Sequence, residues 1–184
     1  MLKIKDLTKK FDSFTAVNRI SLNISTGDLY GFLGPNGAGK TTTIKMIVGL
    51  YKPTSGSIII DRINAINDHV RAKKRFGYIP DQPFLYDKLT GREFLIFCGR
   101  LYNLEKKILN NTINRISEIL QIGDWISNRI EQYSQGMKQR ITIASAILHN
   151  PKLLIIDEPM IGLDPQSAHI IKELFKELTS KGTS

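Results

Sequence analysis

The run Gly34-Pro35-Asn36-Gly37-Ala38-Gly39-Lys40-Thr41 constrains this chain more than any other feature. It fits the pattern G-x-x-x-x-G-K-[ST] in the setting that gives the pattern meaning. A short apolar run, residues 29–33, precedes it, and a helical pattern with Ile44, Ile47 and Val48 on one face follows. Glycines let the backbone turn so that successive N–H groups point at phosphate oxygens. The helix start adds partial positive charge, the Lys40 ammonium reaches the β- or γ-phosphate, and the Thr41 hydroxyl is a ligand for Mg²⁺. A plain Gly-rich helix cap is the bland alternative, and the strand-before, helix-after context weighs against it.

A nucleotide-hydrolysing site also needs carboxylates, and Leu153–Ile156 followed by Asp157-Glu158 supplies them. Four apolar residues after Pro151 suit a buried parallel strand. Acidic residues at the carboxyl end of such a strand lie where open α/β sheets bind ligands. Asp157 is placed to hold Mg²⁺ and Glu158 to orient and polarise an attacking water. A third element, Tyr133-Ser134-Gln135-Gly136-Met137-Lys138-Gln139-Arg140, reads as a helix start with Ser134 as its N-cap. Gly136 permits close approach of a phosphate there.

Around these motifs the first third reads as strands broken by turns. Ile20, Leu22 and Ile24 alternate with polar residues, 25–28 and 53–56 are turns, and 29–33, 58–60 and Phe76–Ile79 are strand candidates. Thr90 and Glu93 form a capping-box pattern that predicts a helix over 90–102. Ile108/Leu109, Ile113, Ile116 and Ile119/Leu120 recur at helical spacing and mark a second amphipathic helix. Residues 83–145 thus read as a helical subdomain set between a β-rich part (1–82) and a strand–helix part (146–184). In the last part Asp164-Pro165 caps a helix with Ala168, Ile171, Leu174, Phe175 and Leu178 on its apolar face.

Composition narrows the function classes. At 184 residues, 41% hydrophobic, one main core is expected. The longest apolar runs have strand length, far short of the roughly 18 residues that span a bilayer. The opening MLKIKDLTKK lacks the apolar stretch of a secretory signal, and a lone Cys98 excludes an internal disulfide framework and fits a reducing cytosol. The net charge of +9 sits mostly in residues 1–92, with 15 basic and 7 acidic side chains. Its tightest cluster, Arg71, Lys73, Lys74 and Arg75, reads more simply as a solvated helix face than as an anion-binding surface.

In this order and spacing the three motifs resemble those of the ABC ATPases, whose signature consensus is Leu-Ser-Gly-Gly-Gln. The stretches YSQGMKQR and LLIIDEPMIGLDP look most like the drug- and peptide-antibiotic exporter group. The resemblance implies an α/β fold: a P-loop NTPase parallel-sheet core, an N-terminal antiparallel β-subdomain and an inserted α-helical subdomain. It implies that Phe11 stacks on adenine. Gly34, Pro35, Asn36, Gly37, Ala38, Gly39, Lys40, Thr41 and Thr42 become the Walker A motif, and residues 153–157 the Walker B motif. Glu158 becomes the catalytic glutamate, and Gly162-Leu163-Asp164 the D-loop. At the Q-loop, Tyr78-Ile79-Pro80-Asp81-Gln82, either Asp81 or Gln82 serves the metal and water. The signature keeps Ser134 and Gly136, while Gln135 and Met137 depart from the consensus. Implied partners are ATP with Mg²⁺, a second nucleotide-binding domain packed head to tail, and a transmembrane permease. The permease would dock near residues 83–101, with Phe84, Leu85, Tyr86, Phe94 and Phe97 as apolar candidates; the chain would be cytoplasmic, peripheral on the membrane, and bind no nucleic acid.

Alternatives are weaker. A soluble ABC ATPase of ribosomes or DNA usually carries two cassettes or a coiled-coil insertion. A GTPase needs Asn-Lys-x-Asp, and this chain has no Asn-Lys pair. A small-molecule kinase needs an acceptor pocket, for which the sequence carries no signal. A binding module or truncated fragment without turnover is set against intact Lys40, Asp157 and Glu158.

The family also carries a switch histidine beyond the D-loop, on a further strand between the Walker A and Walker B strands. His69, His149 and His169 fit no such place. The C-terminal part of the core is therefore expected to be missing. Unpaired groups on two central strands would cost roughly 1–3 kcal/mol each, against a typical domain stability of about 5–15 kcal/mol. Residues 1–184 purified alone should lack robust ATPase activity and unfold easily. A cooperative melt above ~50 °C with normal turnover would contradict this expectation.

Overall fold

Apolar alternation carries the N-terminal third into an antiparallel sheet. In the computed structural model, which describes residues 1–157 and 165–184, strands β1 (Leu2–Phe11) and β2 (Phe14–Ile24) form a hairpin. Strands β3 (Ser55–Ile60) and β4 (Ile63–Asn64) complete a sheet of order β2-β1-β3-β4. Leu2 and Ile4 face the core while Lys3 and Lys5 face water. Asp6 then takes φ of 48°, both ladders of β1 shift register, and Leu7 and Thr8 turn inward. The bulge keeps a run of mixed polarity on the correct face.

Helices α1 (Lys40–Ile47) and α2 (His69–Lys73) contribute to the core of this sheet through Ile44, Met46, Ile47 and Ala72. The predicted basic cluster lies on and just after α2, where Arg71 pairs with Asp68 and Arg75 with Asp61 at the surface. A second core is built by α3 (Gly91–Leu101), α4 (Lys106–Ile119), α5 (Gln135–Ile147) and α6 (Pro165–Ser180). The capping box is present at α3. Thr90 Oγ1 accepts from the Glu93 N–H at 3.1 Å, and the Thr90 N–H donates to Glu93 Oε2 at 2.8 Å. The Thr90 N–H and the Thr90 hydroxyl, both donating to Oε2, hold the Glu93 carboxyl below the usual carboxylate range. Of the positions that mark α4 in the sequence, Leu109, Ile113, Ile116 and Leu120 are buried, whereas Ile108 is exposed and Ile119 half-buried. Arg140 of α5 donates to the carbonyls of Leu120 and Gln121 at the end of α4, and reaches Ser167 on α6. Among the described residues, no helix is long and apolar enough to cross a membrane.

Between the two cores run β5 (Phe76–Ile79) and β6 (Leu153–Ile156), paired in parallel with Phe76 opposite Leu153 and Ile79 opposite Ile156. Phe76, Leu153 and Ile155 pack into the first core, and Ile79 into the second. The antiparallel sheet, the helical layer and the parallel strands together give the expected α/β architecture.

Residues 29–33 correct the sequence reading. They form no strand, and Leu29 and Leu33 are 84% and 92% exposed. A strand requires a ladder, and no strand pairs with this segment among the described residues. An apolar cleft of about 100 Å³ separates Tyr30 and Phe32 from Leu153–Ile156. Ser184 ties β6 to the turn before this segment: its carbonyl accepts from the Leu154 N–H at 2.7 Å, its N–H donates to the Lys152 carbonyl, and its hydroxyl lies 2.9 Å from Gly27 N and from the Ser25 carbonyl.

Helix α5 crosses β5 with no room to spare. A Cβ added at Gly77 would lie 2.1 Å from the Ala146 carbonyl oxygen, a backbone atom that cannot swing aside. Gly77→Ala should destabilise the fold by about 3 kcal/mol, read as a lower urea midpoint at unchanged slope.

Candidate functional site

The glycine-rich loop 34–39 leads directly into α1. Gly37 and Gly39 have φ of 82° and 84°, conformations that L side chains rarely adopt. Gly39 is also the N-cap, and it packs on β2: an added Cβ would lie 2.5 Å from the Ala16 carbonyl oxygen. Among the described residues, no side chain caps α1. The first amide bonded within the helix is that of Thr43, which donates to the Gly39 carbonyl at 2.8 Å, so the amides of Lys40, Thr41 and Thr42 have no intrahelical acceptor. Thr43 also donates its hydroxyl to that carbonyl and is buried, an anchoring role the motif alone does not reveal.

Lys40 folds back over the loop it follows. Its ammonium donates to the carbonyls of Gly34 (2.7 Å) and Pro35 (2.8 Å), which holds the charge beside residues 34–38, all of them exposed. Thr41 is exposed and Thr42 half-buried on the first turn of α1. Exposed backbone around a fixed cation at a helix start suits a polyphosphate.

The carboxylate side is organised by the parallel pair. The Asp157 N–H donates to the Ile79 carbonyl at 2.9 Å, which extends the ladder one step and brings the end of β6 beside the turn after β5. Asp157 is buried, whereas Asp81 and Gln82 are exposed. Burial pushes the Tyr78 phenol up from its ordinary value, and the carboxylates of Asp157 and Asp81 add to the rise. Tyr78 thus feels both acids at once. Glu158 and Asp164 lie outside the described residues, as do Gly162 and Leu163.

Ser134 is the N-cap of α5, as predicted. Its hydroxyl oxygen accepts from the Met137 N–H at 3.3 Å. Ser134 and Gln135 are exposed and Gly136 half-buried. Helix α5 meets β5 through Ala146, near its other end. Its thirteen residues set Ser134 about 20 Å from that contact. Among the described residues, no hydrogen bond or ion pair joins 134–137 to the loop 34–42. Phe11 is 41% exposed at the end of β1. Tyr51 meets its ring edge-on at 5.7 Å, and the Lys9 ammonium lies 4.8 Å from its centroid. Sequence reasoning missed Tyr51 and Lys9, because neither belongs to a motif.

Comparison with known proteins decides the family. The family model described as ABC transporter matches residues 17–161. The chain belongs to the ABC transporter family. It is 41% identical to the bacitracin transport ATP-binding protein BcrA of Bacillus licheniformis, over 98% of this chain and 58% of that protein. It is 38% identical to the linearmycin resistance ATP-binding protein LnrL of Bacillus subtilis, again over 58% of the relative's length. Among solved structures, an ATP binding subunit of an ABC transporter superposes with a TM-score of 0.93 at 33% identity, covering 99% of this chain and 76% of that one. A dimeric post-hydrolysis ATP-binding cassette bound to ADP and Pi superposes at 0.88, with 27% identity, covering 100% and 85%.

Within this ABC fold the two loop glycines separate strain from crowding. Gly37 has nothing within 4 Å of an added Cβ, whereas Gly39 would drive its Cβ into β2. Gly37→Ala should therefore cost about 1 kcal/mol, from the left-handed backbone alone. Gly39→Ala should cost about 3 kcal/mol, from strain plus overpacking. Urea denaturation of both variants measures the difference.

Proposed function

We propose that this chain is the ATP-binding and ATP-hydrolysing part of an ABC transporter, working as an exporter. The observation that carries the reading is the Lys40 ammonium, held over the carbonyls of Gly34 and Pro35 at a helix start with unused amides. Residues 34–42 receive the triphosphate, and Phe11 offers a half-open ring face for adenine stacking. Thr41 and Asp157, with Asp81 or Gln82, would hold Mg²⁺, which neutralises charge on the β- and γ-phosphates when bound. Glu158 polarises the water that attacks the γ-phosphorus; the β–γ bridging bond breaks, and ADP and inorganic phosphate leave.

Ser134, Gln135 and Gly136 stand apart from the loop of their own chain, so a second nucleotide-binding domain would bring them to the γ-phosphate. A head-to-tail homodimer satisfies both sites, with Asp164 at the seam. The permease would sit on the face formed by Phe84 (94% exposed), Tyr86 and Phe97, whose last two rings meet edge-on at 5.5 Å. That assignment makes the protein peripheral on the cytoplasmic side of the membrane. Export as the direction rests on the likeness to the bacitracin transport and linearmycin resistance proteins.

The test uses the full-length protein. Glu158→Gln should retain ATP-dependent dimerisation in analytical ultracentrifugation while turnover falls by about a hundredfold or more. Lys40→Ala should lose both. Unchanged hydrolysis by Glu158→Gln would remove that residue from its role. Salt-sensitive binding to RNA or DNA would favour a non-transport ATPase instead.

A further inference from the structure

Tyr133 precedes Ser134 and is 6% exposed, yet it is not merely a core aromatic. Its hydroxyl accepts from the Gly91 N–H at 3.1 Å, the first amide of α3. The same oxygen lies 3.1 Å from the carbonyls of Trp125 and Asn128 and 3.4 Å from that of Ile126. A phenol carries one proton and donates it to one of these carbonyls at a time. A phenylalanine would fill the same volume and leave the Gly91 amide buried without this acceptor, so burial alone does not account for the hydroxyl.

The surroundings make this a fixed junction. The Trp125 ring meets Tyr133 edge-on at 4.9 Å. A Cβ at Gly91 would lie 2.5 Å from the Tyr133 hydroxyl and 2.9 Å from Ile141 Cδ1. Two further backbone bonds run in parallel, Ile130 N–H to the Leu89 carbonyl (2.9 Å) and Glu131 N–H to the Asp87 carbonyl (3.1 Å). Two ion pairs close the outside, Lys88 with Glu131 at 2.7 Å and Lys138 with Asp87 at 3.8 Å. The segment 86–91, next to the exposed aromatic face, is thereby tied to the residues on both sides of Ser134.

We propose that Tyr133 is the positioning residue for the signature turn, its hydroxyl fixing Ser134 against the first turn of α3 so that the two move as one body. This rests on the reading of Ser134 as the group that meets ATP bound to a partner. Displacement of the aromatic face would then carry Ser134 with it, because the connection runs through several directional hydrogen bonds rather than packing alone.

The experiment compares full-length Glu158→Gln with and without Tyr133→Phe. Uptake of a fluorescent ATP analogue in EDTA reports the loop of a single chain, ultracentrifugation with MgATP reports closure of the dimer, and hydrogen exchange reports the junction. With the hydroxyl removed, monomer uptake should stay within about twofold, whereas the dimer dissociation constant should rise about tenfold. Amides in 90–93 and 134–138 should exchange faster together. Gly91→Ala, which pushes a methyl group at the hydroxyl from the other side, should reproduce the split. Unchanged dimerisation, or equal loss of uptake and dimerisation, overturns the positioning role, as does faster exchange at only one of the two segments. Failure of the parent Glu158→Gln to dimerise with ATP would instead strike the functional reading, and the exchange measurement would still judge the junction.

Discussion

The parallel pairing of β5 with β6 is the constraint on which the rest of the molecule depends. One face of these two short strands serves the core under the antiparallel sheet, the other serves the helical layer, and Asp157 extends the ladder at their carboxyl end. A one-residue slip would exchange the two faces and send Ile79 and Phe76 to the wrong cores. Register is held at both ends, by the Arg75 carbonyl accepting from Lys152 and Leu153 and by Ile79 accepting from Asp157. It also demands a strand without a side chain where α5 crosses, hence Gly77. Through that crossing the same two strands set the line along which α5 projects Ser134.

The molecule presents two helix starts of opposite character. At α1, among the described residues, no side chain caps the helix, and its first amides have no intrahelical acceptor. At α5 the Ser134 hydroxyl oxygen already accepts from Met137. One end is open to an anion, while the other keeps its first turn ordered by an exposed serine whose hydroxyl still has a proton to donate. Such a division suits a ligand gripped first by α1 and contacted afterwards by Ser134.

Much of this was legible in the sequence because its causes are local. The strands Phe76–Ile79 and Leu153–Ile156 are short apolar runs bounded by prolines at 80 and 151, and their limits follow from those boundaries. Thr90 and Glu93 announce α3 because a capping box is a four-residue object. The loop 34–42 is readable for the same reason, since its chemistry is carried by adjacent backbone. Residues 29–33 misled because a strand is a property of a pair, and apolar composition does not reveal whether a partner is present. Tyr133 was legible only as the residue before a cap. Its partners lie 5 to 42 positions away, a separation no local pattern records. The Phe11–Tyr51 contact is hidden in the same way.

The posture of Lys40 has a thermodynamic meaning of its own. With its ammonium already engaged by two carbonyl dipoles, an arriving phosphate does not meet a cation stripped of partners. One of the three ammonium N–H groups is not used by these carbonyls; to take the other two, an anionic oxygen must replace a neutral one, and its advantage is the difference between them at similar range. Weakly charged oxyanions gain little by that exchange, whereas the clustered charge of a polyphosphate gains much. On the proposed reading, the loop's own carbonyls would thus compete with the ligand for two of the ammonium's three N–H groups.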